Sequence, residues 1–159
     1  MTIAYIGVGS NAGDARAHVL RALEELTQLP DTQLEGRSAL YRSAPIDAPG
    51  QADYVNAAAG VDTELSAAQL LGALQDIEER HGRARPYPNA PRTLDLDLLL
   101  YGEMSFVSSM LTLPHPRMHQ RAFVLAPLLE LDARLEVPGH GSARELLARC
   151  ADQRIARMD

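Results

Sequence analysis

The sequence predicts an α+β fold, and three observations carry that expectation. Polar and apolar residues alternate closely enough over 54–63 and 93–98 for strands with one buried face, and 2–8 and 34–43 also read as strands. Between them, 15–29 and 66–82 carry apolar side chains at helical spacing: Val19, Leu20, Leu23 and Leu26, then Leu70, Leu71, Leu74 and Ile77. The resulting order, β-α-β-β-α-β with additions at the C-terminal end, suggests a mostly antiparallel sheet with helices packed on one face, a ferredoxin-like layer.

Each element has its own signals. Residues 2–8 form a buried first strand, Gly9 to Gly13 a turn, and Asp14 is placed to cap the helix. The glycines at 7, 9 and 13 miss the Gly-x-Gly-x-x-Gly spacing by one residue, so a tight strand-to-helix connection accounts for them. Pro30 and Asp31 end the helix, and the strand at 34–43 closes on Ser43-Ala44-Pro45-Ile46. Residues 47–52, with Pro49 and Gly50, are a loop. In the strand at 54–63, Tyr54 and Asn56 share one face. Asparagine is depleted in strands, so an inward Asn wants a hydrogen-bonding partner. Ser66 and Gln69 make a capping box, and Gly82 stops the second helix. The stretch 83–92 holds Arg83, Arg85, Arg92 and prolines 86, 88 and 91, too proline-rich for a helix or central strand. It is placed as an active-site loop would be. Beyond Gly102 the chain is irregular as far as Pro114-His115-Pro116. A helix at 119–131, a short strand at 135–137 and a helix at 142–150 complete it.

Composition excludes several classes. The 159 residues suit a single domain over 1–159, and with 46% hydrophobic residues no apolar run approaches a membrane span. The N-terminus reads as a strand rather than a signal peptide, and a lone Cys150 forms no intrachain disulfide, so the cytoplasm is the expected location. A net charge of −6 argues against nucleic acid as a partner. All 15 basic residues are arginine, so no Walker-type lysine loop exists, and phosphate charge falls to arginine, metal and backbone groups.

The chemistry concentrates at Pro91 to Leu100. Thr93, Asp95 and Asp97 alternate with Leu94, Leu96 and Leu98, so the two carboxylates stand on one face about 7 Å apart at their bases. A solvated Asp-x-Asp is the ordinary reading. On a leucine-rich strand entered from Arg92, the repulsion favours a shared hard cation, and Mg²⁺ usually comes with phosphates.

Together these residues resemble the 6-hydroxymethyl-7,8-dihydropterin pyrophosphokinase family of folate biosynthesis. The resemblance rests on Gly9-Ser10-Asn11, Tyr41-Arg42-Ser43, Asp53 to Ala57, Gly82-Arg83, Pro91 to Asp97, Pro114-His115 and Arg121-Ala122-Phe123. It implies ATP- and Mg²⁺-dependent transfer of the β,γ-diphosphate to the pterin hydroxymethyl oxygen, with release of AMP. Asp95 and Asp97 would then hold two Mg²⁺ ions. Arg83 and Arg92 would clamp the phosphates. Gln75, Glu78, Thr112, His115 and Arg121 would meet ATP. Tyr54 and Phe123 would take the two faces of the pterin and Asn56 its edge, with Ser43, Pro45 and Ile46 completing the pocket. A monomer is expected. Departures from the family pattern are Asn89 in place of a tryptophan in a loop one residue shorter, Met110 in place of an arginine, and Pro116 in place of a tyrosine. Two rival classes are a non-catalytic small-molecule-sensing domain and another two-metal enzyme such as a nuclease. The paired carboxylates count against the first and the acidic net charge against the second.

Overall fold

The structure is a computed structural model that describes residues 1–45, 50–82 and 93–158. Its main sheet is built from β1 (Thr2–Ser10), β2 (Thr32–Arg37), β3 (Tyr41–Ser43), β4 (Tyr54–Thr63), β5 (Asp95–Tyr101) and β10 (Ile155–Arg157). The order is β10-β3-β4-β1-β5, with β2 also paired to β4, and every pairing is antiparallel. β5 is therefore an edge strand.

Helices α1 (Ala15–Leu26) and α2 (Ala67–Arg80) cover one face. Leu23, Leu26, Leu70, Leu74 and Ile77 pack there with Ile6, Val61, Leu96 and Leu98. Each such side chain contributes about 1.5–3 kcal/mol by leaving water. The expected caps are present: Asp14 accepts from the Ala17 amide, and Ser66 and Gln69 close a reciprocal capping box.

The opposite face is also covered. Helices α3 (Ala122–Leu131) and α4 (Ala143–Ala148) bury Val124, Leu125, Leu128 and Leu146 with Ala58, Leu99 and Leu100. Helices on one face thus describes α1 and α2 alone, and the sheet is the middle of three layers. Glu130 anchors α3 to the sheet, accepting hydrogen bonds from the Tyr41 hydroxyl and, at 3.1 Å, from the Ala39 amide.

Several boundaries move for local reasons. The strand expected at 34–43 is two strands. Ser38 interrupts it by exchanging backbone bonds with Ala58 through both its amide and its hydroxyl, each 2.9 Å. The helix expected from 119 begins at Ala122, because Met118–Gln120 form a 3-10 turn and Arg121 is extended at φ −123°, ψ 111°. The irregular stretch after Gly102 contains a hairpin of β6 (Phe106–Val107) and β7 (Thr112–Leu113). A second small hairpin pairs β8 (Glu136–Val137) with β9 (Gly141–Ser142).

Gly7 lies in β1 as expected, and Gly9, expected in the turn, belongs to β1 as well. They pair with Asp97 and Asp95 on one side and with Ala58 and Asn56 on the other. A register shift between Tyr5 and Ile6 places Leu98 opposite Ile6 and Leu100 opposite Tyr5, leaving Leu99 as the extra residue of a bulge.

Candidate active site

A cavity of about 150 Å³ opens between the sheet and the start of α3. Its floor is Gly7 and Gly9 in the middle of the sheet. Asp95, Asp97 and Leu99 line it from β5, and Tyr54, Asn56 and Ala58 from β4. Ser43 and Ala44 close one end, and Arg117, Arg121, Phe123 and Val124 form the roof. The floor must be glycine for close approach: a Cβ on Gly9 would come within 3.2 Å of Asn56 Oδ1, and one on Gly7 within 3.3 Å of Leu99. A ligand held between Tyr54 and Phe123 can therefore approach the backbone closely.

Asn56 is oriented as well as buried. Its Nδ2 donates to Ser43 Oγ at 2.7 Å, which leaves Oδ1 on the side of Gly9. The partner that an inward asparagine requires is thus partly supplied by β3, whose Ser43 stands opposite Tyr54. Arg121 and Phe123 are paired too, the guanidinium carbon 5.5 Å from the ring centroid.

A second cleft, about 230 Å³, lies outside the edge strand. It is lined by Leu71 of α2, by Leu96 to Leu98 of β5, and by 108–112, His115 and Pro116. Asp97 lines both spaces, so they meet at one carboxylate. The segment after the hairpin joins the open edge of β5, where the His115 amide donates to Leu99 O at 2.9 Å.

Burial pushes the His115 imidazole down to about 4, and the guanidinium of Arg121 acts in the same direction. Asp95 opposes them and Arg117 adds a further lowering. The Arg117 amide donates to its Nδ1 at 3.3 Å, which assigns the proton of the neutral ring to Nε2. His115 is then a neutral donor. A group whose pKa falls on folding binds a proton more readily when unfolded. Its stability contribution is present above the unfolded value of about 6.5 and is lost as pH falls from there toward 4. An NMR titration should find the His115 ring neutral from pH 8 down to 5; a midpoint near 6.5 would contradict this environment.

The described residues bring together most of the positions expected at the site. Asp95, Asp97, Tyr54, Asn56, Ser43, Arg121 and Phe123 line the cavity over the glycines, while Thr112 and His115 line the outer cleft with Asp97. Pro45 is half-buried beside the lining residue Ala44. Gln75 and Glu78 line neither space. Gln75 is half-buried one turn beyond Leu71, and Glu78 is buried with Oε2 accepting from the Leu96 amide at 2.8 Å, tying α2 to β5. Arg83, Arg92 and Ile46 lie outside the described residues. Sequence reasoning did not assign Gly7, Gly9, Ala58, Leu99 or Arg117 to the site. The only signal for the first two was their spacing of two at the end of the first strand.

The donor set fits Mg²⁺. Two carboxylates project from alternate positions of one strand over a glycine floor. Among the described residues no group of three or more His, Cys, Asp or Glu side chains is placed to hold a metal. A protein that offers one or two carboxylates and leaves the remaining positions to phosphate and water is the usual Mg²⁺ arrangement.

An α+β sheet whose pocket meets an outer cleft at a carboxylate, with a second carboxylate beside it, suits an enzyme acting on small molecules. The profile of the 7,8-dihydro-6-hydroxymethylpterin-pyrophosphokinase family matches residues 5–133, and the chain belongs to that family. It is 41% identical over 159 residues to the 2-amino-4-hydroxy-6-hydroxymethyldihydropteridine pyrophosphokinase of Haemophilus influenzae, covering all of this chain and 99% of that one. With the Pseudomonas aeruginosa protein of the same name it shares 42% identity over 154 residues, 97% of this chain and 95% of the other. Among solved structures it resembles wild-type Plasmodium falciparum HPPK-DHPS with a TM-score of 0.70 at 13% identity, over 94% of this chain and 43% of that longer one. That likeness concerns the fold alone. Family membership sets aside the sensing-domain alternative.

Proposed function

We propose that the cavity over Gly7 and Gly9 takes the pterin and the cleft outside β5 takes ATP. The chain catalyses ATP-dependent diphosphate transfer to 6-hydroxymethyl-7,8-dihydropterin in folate biosynthesis. The observation that carries the assignment of the two sites is Asp97, which lines both spaces.

In this reading Tyr54 and Phe123 hold the two faces of the bicycle. Asn56, fixed by Ser43, reads its donor–acceptor edge, and Pro45 and Ile46 keep the pterin-binding role that the family pattern gives them. The hydroxymethyl oxygen then points toward β5, where Asp95 and Asp97 stand. We assign these two carboxylates to two Mg²⁺ ions. Bound there, the metal supplies charge neutralisation and alignment for in-line displacement at the β-phosphorus. Arg121 reaches the phosphates from the α3 side, and His115 donates from Nε2 on the cleft side. Thr112 also faces the nucleotide, and Gln75 and Glu78 on α2 keep the ATP-site role that the family pattern gives them. Arg83 and Arg92 keep the clamping role that the family pattern gives them. The pterin oxygen bonds to the β-phosphorus as the bond from that phosphorus to the oxygen bridging the α-phosphorus breaks; AMP leaves, and the hydroxymethyl O–H gives its proton to water.

We also read residues 1–159 as a single, monomeric, cytoplasmic pyrophosphokinase domain with ferredoxin-like strand order. In support, β1 lies between β4 and β5, and no described helix is long and apolar enough to cross a membrane. The test of the reaction is a product assay with ATP, Mg²⁺ and the pterin. AMP formed in step with a pterin diphosphate is expected, and ADP would contradict it.

A further inference from the structure

We propose that Gln153 is a positioning residue for Arg121, its side-chain amide bridging the backbone on both sides of that arginine. Arg121 has an unusual setting. It is a single extended residue between the 3-10 turn Met118–Gln120 and α3, and its own side chain provides no cap for the helix. Such a junction leaves backbone groups without helical partners. Two of them are the carbonyl of Gln120 and the amide of Ala122, the residues on either side of Arg121.

Gln153 satisfies both. Its Oε1 accepts from the Ala122 amide at 2.9 Å, and its Nε2 donates to the Gln120 carbonyl at 2.7 Å. A primary amide carries the acceptor and the donors that this bridge needs. A carboxylate would keep the first bond and set an oxygen against the Gln120 carbonyl. A thioether would make neither strong bond.

Gln153 is itself held in place. Its amide donates to the Cys150 carbonyl at 2.9 Å, and Cys150 is buried in the core beneath α3 and α4. Two residues further on, Ile155 pairs with Ser43 at the opposite end of the same cavity. The segment from Cys150 to Arg157 therefore braces both the roof and the end wall of the pocket. It lies beyond the residues 5–133 that the family profile matches.

The inference rests on the reading that Arg121 meets the nucleotide phosphates. Its consequence is a KM and kcat dependence on a side chain that touches neither ligand. The experiment compares the full chain with R121A, Q153M and the double variant, measuring kcat/KM for ATP and thermal melting. Q153M should lower kcat/KM about tenfold, the order of two lost hydrogen bonds at a positioned group, and should add nothing in the R121A background. Q153E, which keeps the acceptor for Ala122 but opposes two oxygens at Gln120, should also lower kcat/KM in the wild-type background and add nothing in R121A, and it serves as the probe should Q153M not fold.

Equal losses from Q153M in both backgrounds would mean a general effect on the fold and would overturn the proposal. Wild-type kcat/KM in Q153M beside an impaired R121A would overturn the positioning while leaving the role of Arg121 intact. Wild-type kcat/KM in R121A would overturn the reading on which the proposal rests, and the proposal with it.

Discussion

Asp97→Ala should lower turnover by at least about a thousandfold, the scale of removing a preorganised electrostatic contact at transferring phosphate. Melting should shift by no more than about 3 °C, because the change deletes a half-buried side chain at the mouth of two open spaces and removes no core volume. The leucines that hold β5, Leu96 and Leu98, point to the opposite face and are untouched. Asp97 should also be costlier to lose than His115, because it lines both spaces and His115 only the outer one. The pair of measurements is steady-state turnover at saturating Mg²⁺ and a melting curve. Unchanged turnover would remove Asp97 from the reaction; a collapsed fold would mean that its role is structural.

Gly9→Val should weaken pterin binding by about ten- to a hundredfold, as overpacking costs about 1–3 kcal/mol. The first carbon added would already stand 3.2 Å from Asn56 Oδ1 and 3.8 Å from the Tyr54 ring, and the branched methyls would fill the floor. Gly9 lies within a strand and is not among the glycines with positive φ, so valine is conformationally welcome there. The loss is therefore one of space and not of backbone strain. ATP affinity should be unaffected, since the outer cleft does not include Gly9. Titrating each ligand separately by calorimetry distinguishes the cases. Wild-type pterin affinity would show that the floor is not the pterin surface, and equal losses for both ligands would show a general distortion.

The parts of this molecule that were legible in the sequence are those with a period. Asp95 and Asp97 stand out because alternation with leucine fixes their face before any partner strand is known. The capping box at Ser66 and the apolar stripes of α1 and α2 are local in the same way. Gly9 was assigned to a turn, and the floor formed with Gly7 went unread, because a glycine in a strand shows no side-chain period, and what it makes room for comes from β4 and β5. The second helical layer was illegible for a different reason. Residues 122–131 are nearly all apolar, so α3 has no polar stripe to say which face of the sheet it covers. β10 is three residues long, mostly exposed, and acquires meaning only by pairing with β3. Arg121 was placed in a helix because nothing nearby announces a break, and the amide that supports the break is supplied by Gln153, 31 residues or more along the chain.

The central claim is that two ligand spaces meet at Asp97. Its most direct test is a crystal structure of the complex with Mg²⁺, a non-hydrolysable ATP analogue and the pterin. The expected result has the bicycle between Tyr54 and Phe123 above Gly9, the nucleotide along the outer side of β5 near Thr112 and His115, and metal on Asp95 and Asp97 between them. A pterin bound elsewhere, or metal held without either carboxylate, would contradict the account.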